Sequence, residues 1–308
     1  MKMKMELKKN TTKKLFVILG PTASGKTSLS IRLASKLKTE IISCDSRQFY
    51  KELKIGSAPP SAEELKKTKH HFIQHLSVKD NYNIGKYEED AINKISSLFK
   101  KYNNLILVGG SGLYIDAICN GLDDIPQTPQ KIRDRINNEF LEKGINWLQS
   151  KVKEIDMDFY QKSDTKNPQR LKRCLEIHAN TGKKISSFYN KEKTKRDFKI
   201  IKIGITTNRE ILYDRINKRV DQMIKNGLVD EAKGLLQYQK FNALNTVGYK
   251  ELFDFFNKKS DKETAIKEIK KNSRRLAKRQ ITWFKRDKQI NWFSLEKEDE
   301  IIKFTLES

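Results

Sequence analysis

Short apolar runs alternate along the chain with longer stretches whose apolar residues recur every three or four positions. Residues 15–19 (Leu-Phe-Val-Ile-Leu) are continuously apolar, the pattern of a parallel strand buried on both faces. Leu29, Leu33, Ala34 and Leu37 then fall on one side of a helix. Residues 40–44 and 105–108 read as further strands, with a helix over 87–99 between them that places Ala91, Ile95 and Leu98 on one face. From 121 to 197 the pattern changes: the segment is polar, helical in period and rich in Lys and Asn, with no strand. Strand chemistry returns at 198–205. A helix follows over 208–225, with Leu212, Ile216, Val220 and Met223 on one face, Arg215, Arg219 and Gln222 on another, and Asn226-Gly227 as its stop. Residues 246–250 turn into another helix, 262–285 form a long one with Ile266, Ile269, Leu276 and Phe284 as its apolar stripe, and 289–293 a last short strand. Strands alternating with helices predict an α/β fold on a parallel sheet. Its core is expected at 13–120 and 198–308, with a helical insertion at 121–197.

Composition narrows the class. The 308 residues suffice for a large core and two domains. Lys and Arg outnumber Asp and Glu by 63 to 39, a net charge of +24, which suggests a polyanionic partner such as nucleic acid or an acidic membrane surface. Lysine spread through every segment also contributes to that excess. Cys44, Cys119 and Cys174 stand far apart, making neither a metal pair nor a disulfide framework, as suits a reducing compartment. Residues 1–14 carry no apolar core of signal-peptide length, and no apolar run approaches the ~18 residues of a membrane span. A soluble, cytoplasmic monomer is expected.

Between the first strand and its helix lies Gly20-Pro21-Thr22-Ala23-Ser24-Gly25-Lys26-Thr27. It matches G-x-x-x-x-G-K-[ST], the phosphate-cradling P-loop, in the strand-to-helix context the motif requires. Backbone N–H groups and the helix N-terminus attract an anion, Lys26 adds a positive charge, and the Thr27 hydroxyl can reach a Mg²⁺ held by the phosphate. The core is thus expected to be P-loop NTPase-like, with a polyphosphate as ligand.

The second strand ends in Asp45-Ser46-Arg47-Gln48, on the sheet edge where ligands bind in open parallel sheets. Asp45 there can hold a Mg²⁺-bound water or act as a general base; it serves equally well as a helix cap. Arg47 and Gln48 suit a base edge or a phosphate. The third strand ends in Gly109-Gly110-Ser111-Gly112, where most P-loop hydrolases carry an acidic Mg²⁺ ligand. That absence weakens an ATPase or kinase reading, and glycines there let a ligand approach the backbone closely. His70, His71 and His75 lack partners at ligand spacing and read as packing or loop residues. Arg170 and Arg173 share a helix face that favours phosphate over mere solvation. Lys270, Lys271, Arg274, Arg275, Lys278, Arg279, Lys285 and Arg286 crowd the last long helix. Like charges at that spacing cost a few tenths of a kcal/mol per pair, so a polyanion is expected to neutralise them. Trp283 and Phe284 are suited to packing and, less readily, to stacking a base.

Taken together, these motifs resemble the tRNA dimethylallyltransferase family over residues 14–286. The matching stretches are 20–27, Asp45-Ser46 with Tyr50, Ile55-Gly56, His70-His71, Val108 to Tyr114, Pro168 to Leu171 with Arg173, Val247-Gly248-Tyr249, and Lys278 to Trp283. The resemblance implies that the P-loop, Gly20 to Thr27, holds the diphosphate of dimethylallyl diphosphate, with Mg²⁺ on Thr27. The five-carbon group would move to the exocyclic amine of the adenosine just 3′ of a tRNA anticodon. It implies Asp45 as the general base, Ser111 in contact with the adenosine or the diphosphate, and Arg219 on the departing diphosphate. Segments implied to face the tRNA are Asp45-Ser46-Arg47-Gln48, Ser111, Arg133, Gln169-Arg170-Leu171-Lys172-Arg173, Asn245-Thr246-Val247-Gly248-Tyr249-Lys250 and Lys278-Arg279-Gln280-Ile281-Thr282-Trp283-Phe284-Lys285. The insertion would hold the anticodon stem. Ser111 stands where the family usually has threonine, and Pro59 replaces a common lysine. No C-terminal zinc finger like that of eukaryotic relatives is present, as in bacterial-type enzymes. The rival expectations are an adenylate isopentenyltransferase acting on free nucleotide, which should lack the insertion and the basic helix; an RNA-dependent P-loop ATPase, which needs the missing acid; and a non-catalytic RNA-binding protein, against which Lys26, Thr27 and Asp45 argue.

Overall fold

A computed structural model describes residues 12–189, 192 and 194–308; residues 1–11, most of the polar N-terminal stretch noted above, lie outside the described residues. The chain clusters into two units, one comprising Met1–Asn120 with Arg196–Ser308, the other Gly121–Lys195.

In the first unit, β1 (Lys14–Leu19) leads into α1 (Lys26–Leu37), followed by β2 (Ile41–Ser43), α2 (Ala62–Lys67), the two-residue β3 (His70–His71), α3 (Ile84–Leu98), β4 (Asn104–Gly109) and α4 (Gly112–Asn120). In the second unit come α5 (Gln130–Ile155), α6 (Met157–Lys162) and α7 (Pro168–Thr181). The first unit then resumes with β5 (Lys199–Thr206), α8 (Arg209–Lys225), α9 (Leu228–Gly234), α10 (Tyr249–Phe256), α11 (Lys262–Phe284), β6 (Ile290–Ser294) and α12 (Glu298–Glu307).

The six strands form one sheet in the order β3-β2-β4-β1-β5-β6, and every pairing is parallel. β1 reads as a continuous apolar run because both its faces are covered: Leu15, Val17 and Leu19 join one core cluster, while Phe16 and Ile18 join another with Leu29 and Leu33 of α1. β4 divides the same way, Leu105 and Leu107 on one side and Ile106 on the other. β5 carries one buried lysine, Lys202, whose ammonium meets Asp287 at 2.6 Å. The expected strands and helices of this unit are present, and α2, β3, α4, α9 and α12 are additions to them. His70 and His71 form an edge strand beside Ile41 and Ile42, too short to show an alternating pattern. At the end of the chain, α12 buries Ile301 and Thr305, with Ile301 beside the α1 residues of the second cluster.

The apolar stripe on α11 runs through Ala265, Ile269, Ala277 and Phe284. Leu276, expected in it, instead faces a cavity with Ser273 and Gln280. Arg196 and Asp197, grouped above with the insertion, cluster with the first unit. The Arg196 guanidinium donates to the carbonyls of Ala117 and Ile118 and to Glu88, which ties it there. The second unit is helical, with its own core of Ile136, Leu148, Val152, Phe159, Leu171 and Leu175, and α5 is broken at Gly144 (φ 72°). No helix among the described residues is long and apolar enough to cross a membrane.

The strand-end glycines have a structural cause. A Cβ on Gly109 would lie 2.1 Å from the Cys44 carbonyl oxygen, so β2 and β4 can converge only over a bare backbone. Gly109→Ala is expected to lower the stability of the folded chain by about 2–3 kcal/mol, the scale of a forced overpacking, read as a fall in the urea midpoint at unchanged slope.

Candidate active site

The carboxyl edge of the sheet collects the chemistry because each strand there ends in a loop rather than a hydrogen-bonded ladder. After β1, the P-loop bends through Gly20 (φ 152°), Ala23 (φ 62°) and Gly25 (φ 87°) and delivers the N-terminus of α1. Lys26 reaches back over the loop, its Nζ donating to the Pro21 carbonyl at 2.5 Å and lying 3.4 Å from Ser24 Oγ. Thr27 lines the cavity, and its hydroxyl donates no hydrogen bond among the described residues.

After β2, Asp45 Oδ1 accepts from the Arg47 N–H at 3.1 Å. This is the capping role anticipated above, closing a turn rather than a helix. It does not exclude the chemical role, because Asp45 also lines the cavity. After β4, the Ser111 hydroxyl accepts from the Ser46 N–H at 3.2 Å and lies 3.3 Å from Ser46 Oγ, joining the second strand end to the third. Arg219 of α8 reaches in from the side, its guanidinium 3.4 Å from both Thr22 Oγ1 and the Ala58 carbonyl. Thr22 to Thr27, Asp45 to Gln48, Ser111, Arg219, Asn245 to Lys250, Arg279, Gln280 and Trp283 share one cavity of about 990 Å³. Gly20 and Pro21 shape the loop from behind.

Electrostatically the cavity asks for an anion. Burial pulls the Lys26 ammonium down to about 7, Asp45 opposing that shift and Arg219 adding to it. Burial likewise lowers Arg219, with Asp45 opposing. Two partly buried cations that share one acting acid, Asp45, suit a ligand that supplies negative charge.

Several residues expected at the site also hold the fold. The Arg47 guanidinium donates to the carbonyls of Asn242 and Ala243. Gln48 Nε2 donates to the Ala58 carbonyl at 3.1 Å. Gln280 accepts from the Thr22 N–H and donates to the Gly110 carbonyl, both at 2.9 Å. Trp283 donates to Asp116 at 2.9 Å and packs so close to Gly112 that a Cβ there would lie 2.4 Å from its ring. The close approach anticipated for a ligand at these glycines is made by the chain's own α11. Ile281 packs beside Ala23, and Phe284 is buried, whereas Lys278, Arg279, Thr282 and Lys285 are exposed.

Of the insertion residues expected at the RNA, Leu171 lies in that unit's core. Lys172 is buried, donating to Asn137 and lying over Phe140. Arg173 donates to Thr128 and the Pro126 carbonyl, which ties α7 to the segment ahead of α5. Gln169 and Arg170 are exposed, and Arg133 is partly so, 4.0 Å from Glu176. Among the histidines, His71 meets Glu40 at 2.5 Å, and His75 sets its ring edge-on to Phe49, Phe72 and Tyr82.

Glu231 of α9 is the anchor sequence reasoning missed. Its carboxylate accepts from the N–H groups of Lys54, Ile55 and Gly56 and from the Tyr249 hydroxyl at 2.6 Å. Loop 54–58, held this way, offers the Ala58 carbonyl to Gln48 and Arg219. A Cβ at Gly56 would lie 2.5 Å from the Tyr249 hydroxyl, so the Ile55-Gly56 and Val247-Gly248-Tyr249 stretches are two halves of one joint. Arg215, one turn from Arg219, also lines the cavity; its place on the same helix face was the available signal.

A P-loop at the carboxyl edge of a parallel sheet, with a carboxylate, a hydroxyl and two partly buried cations around one cavity, is the arrangement of a P-loop-like protein whose site suits a phosphorylated ligand. Residues 48–287 match the family model described as IPP transferase, and the chain belongs to that family. It is 55% identical to the tRNA dimethylallyltransferase of Christiangramia forsetii, covering 96% of this chain and 97% of that one. It is 51% identical to that of Flavobacterium psychrophilum, covering 91% and 93%. The solved full-length tRNA isopentenylpyrophosphate transferase of Bacillus halodurans superposes with TM-score 0.71 at 34% identity, covering 96% of each chain. A eukaryotic dimethylallyltransferase solved acting on tRNA superposes with TM-score 0.78 at 27% identity, covering 94% of this chain and 76% of that one.

Two measurements check the geometry. Glu231→Ala strands three backbone N–H groups, and is expected to lower stability by about 2–3 kcal/mol in urea unfolding; Tyr249→Phe should cost about 1 kcal/mol. For Lys26, a bound anion favours the charged amine. Inorganic diphosphate is therefore expected to bind best below pH 7 and to weaken toward tenfold per pH unit above it. Calorimetry should show that extra slope in the wild type and not in Lys26→Met.

Proposed function

We propose that the chain transfers the dimethylallyl group of dimethylallyl diphosphate to the exocyclic amine of the adenosine 3′-adjacent to a tRNA anticodon, releasing diphosphate. The observation that carries this reading is the meeting, in one cavity, of a P-loop lysine and an arginine with a carboxylate and a serine, at a third strand end that has no acid. ATP hydrolysis uses such an acid to hold its metal; displacement of diphosphate by a weak amine needs a base and a place for the leaving charge.

The parts divide accordingly. Gly20 to Thr27 cradle the diphosphate, with Lys26 and Arg219 taking up the charge that grows as the allylic C–O bond breaks. The adenosine amine attacks the allylic carbon, and Asp45 takes the proton released as the new C–N bond forms. Ser111, bonded to Ser46, holds the acceptor side beside Asp45. The Thr27 hydroxyl, on the cavity wall beside Lys26, fits a hard cation that already carries phosphate oxygens. Mg²⁺ there would neutralise part of the diphosphate charge. The base must leave its stack to reach the cavity. Exposed Lys250, Lys278, Arg279 and Lys285 are assigned to the RNA backbone around it, and Gln169, Arg170 and Arg133 of the helical unit to the anticodon stem. A tRNA substrate is consistent with a cytoplasmic protein.

Asp45→Asn keeps the acceptor for the Arg47 N–H while removing the base. Transfer of labelled dimethylallyl to an unmodified anticodon stem-loop is expected to fall by about 10²–10⁴ in kcat, with the KM for both substrates little changed. Undiminished transfer would remove Asp45 from the chemistry, and label entering free AMP but not RNA would replace the acceptor.

A further inference from the structure

Gln280 sits on α11, the most basic helix, yet its side chain is turned inward and fully engaged. Its carbonyl oxygen accepts from the Thr22 N–H of the P-loop, and its amide donates to the Gly110 carbonyl at the end of β4. The two partners fix the orientation of the amide, because a backbone N–H only donates and a carbonyl only accepts. Among side chains of this length, glutamate lacks the donor, lysine the acceptor, and leucine or methionine both.

The same helix grips the loop by packing. Ala277 clusters with Leu212 and Ile216 of α8, and Ala23 of the P-loop and Ile281 pack against that cluster. Ala23 is held at φ 62°, a left-handed conformation that residues with a side chain disfavour. The loop therefore keeps a shape its own sequence disfavours because α8 and α11 hold it. On the other side of Gln280, Gly110 and Gly112 bracket Ser111, and Trp283 closes over Gly112. One helix thus touches the donor cradle at Thr22, the acceptor edge on both sides of Ser111, and solvent with Lys278, Arg279 and Lys285.

We infer that Gln280 is a positioning residue that couples the two substrates: RNA docking on the exposed face of α11 sets the P-loop through the Thr22–Gln280–Gly110 bridge, so that RNA and diphosphate each favour binding of the other. This rests on the functional reading above. RNA that fixes α11 removes motion the loop would otherwise have to surrender on taking up diphosphate, and linkage makes the effect reciprocal. Gln280 itself touches neither the reacting carbon nor the amine in this scheme.

The test uses the full chain, inorganic diphosphate with Mg²⁺, and an unmodified anticodon stem-loop. In the wild type, saturating stem-loop is expected to tighten diphosphate by roughly five- to tenfold, within the usual range of site-to-site coupling. In Gln280→Glu and Gln280→Leu the factor should fall to about one, and the KM for dimethylallyl diphosphate should rise by roughly tenfold, while the affinity for stem-loop alone holds. A role confined to stability would lower the unfolding midpoint without touching the coupling factor. Gly110→Ala provides the second variant, since its Cβ would lie 2.5 Å from Gln280 Nε2. It should weaken the coupling in the wild type and add nothing in Gln280→Leu, where the clash has gone. Coupling that survives Gln280→Glu, or a Gly110→Ala effect of equal size in both backgrounds, overturns the inference. A wild type that binds diphosphate but no stem-loop overturns the functional reading, and the coupling with it; a wild type that binds both without coupling overturns the inference alone.

Discussion

A strand end without side chains sets the geometry of everything around it. Gly109-Gly110-Ser111-Gly112 lets three other pieces of the chain come within contact distance of one backbone: the Cys44 carbonyl over Gly109, the Gln280 amide over Gly110 and the Trp283 ring over Gly112. Each approach would be blocked by a methyl group. The only side chain left in this stretch is that of Ser111, and its hydroxyl meets Ser46 beside Asp45. The loss of the acid that usually ends this strand is therefore linked to a gain. The space is filled by α11, which ties the phosphate loop to the acceptor edge. Chemistry and packing choose the same residues here for different reasons.

The electrostatics follow from that enclosure. A P-loop open to water would keep its lysine fully charged with or without ligand. Partly buried beside Arg219 of α8, Lys26 is pushed down to about 7 and Arg219 is lowered as well, and a bound anion would oppose both shifts. The protein stores a demand for negative charge rather than a charge pair of its own. Asp45 is the acid that acts on both cations, and it is held in a turn by the Arg47 N–H. That leaves a carboxylate close enough to steady the cations and oriented by the backbone rather than by an ion pair.

The fold was legible where burial is symmetrical. β1 and β4 are apolar on both faces, β5 sets Ile201, Ile203 and Ile205 on one face, and α8 divides cleanly into an apolar face and an arginine face, so their periods could be read directly. β3 was not legible because two residues have no period. The α11 stripe was misplaced by one residue at Leu276 because a helix that faces a cavity has an apolar side that is not a core side. At the site, the P-loop, Asp45, Ser111 and Arg219 were readable, being short-range patterns or family motifs. The second partner of each was not. Glu231 is an unremarkable acid on a polar helix until loop 54–56 is brought to it from far away in the chain, and nothing local in Gln280 says that its partners are Thr22 and Gly110.

Charge pointed to a polyanionic partner without separating the cations that could meet one from those that hold the fold. A net charge of +24 suggests a polyanionic partner, but many of the cations singled out in the sequence are already engaged: Arg47 by two carbonyls, Lys172 by Asn137, Arg173 by Thr128, Lys270 by Asp221 and Arg274 by Asn217. Several of these bonds position the loops and helices that carry the site. Removing such a cation would misplace what it holds, while removing Lys278 or Lys285 would subtract a charge and little else. A basic residue in an RNA-binding protein is therefore classed by the partner it already has: where that partner is a carbonyl or an amide of its own chain, the positive charge is part of the scaffold.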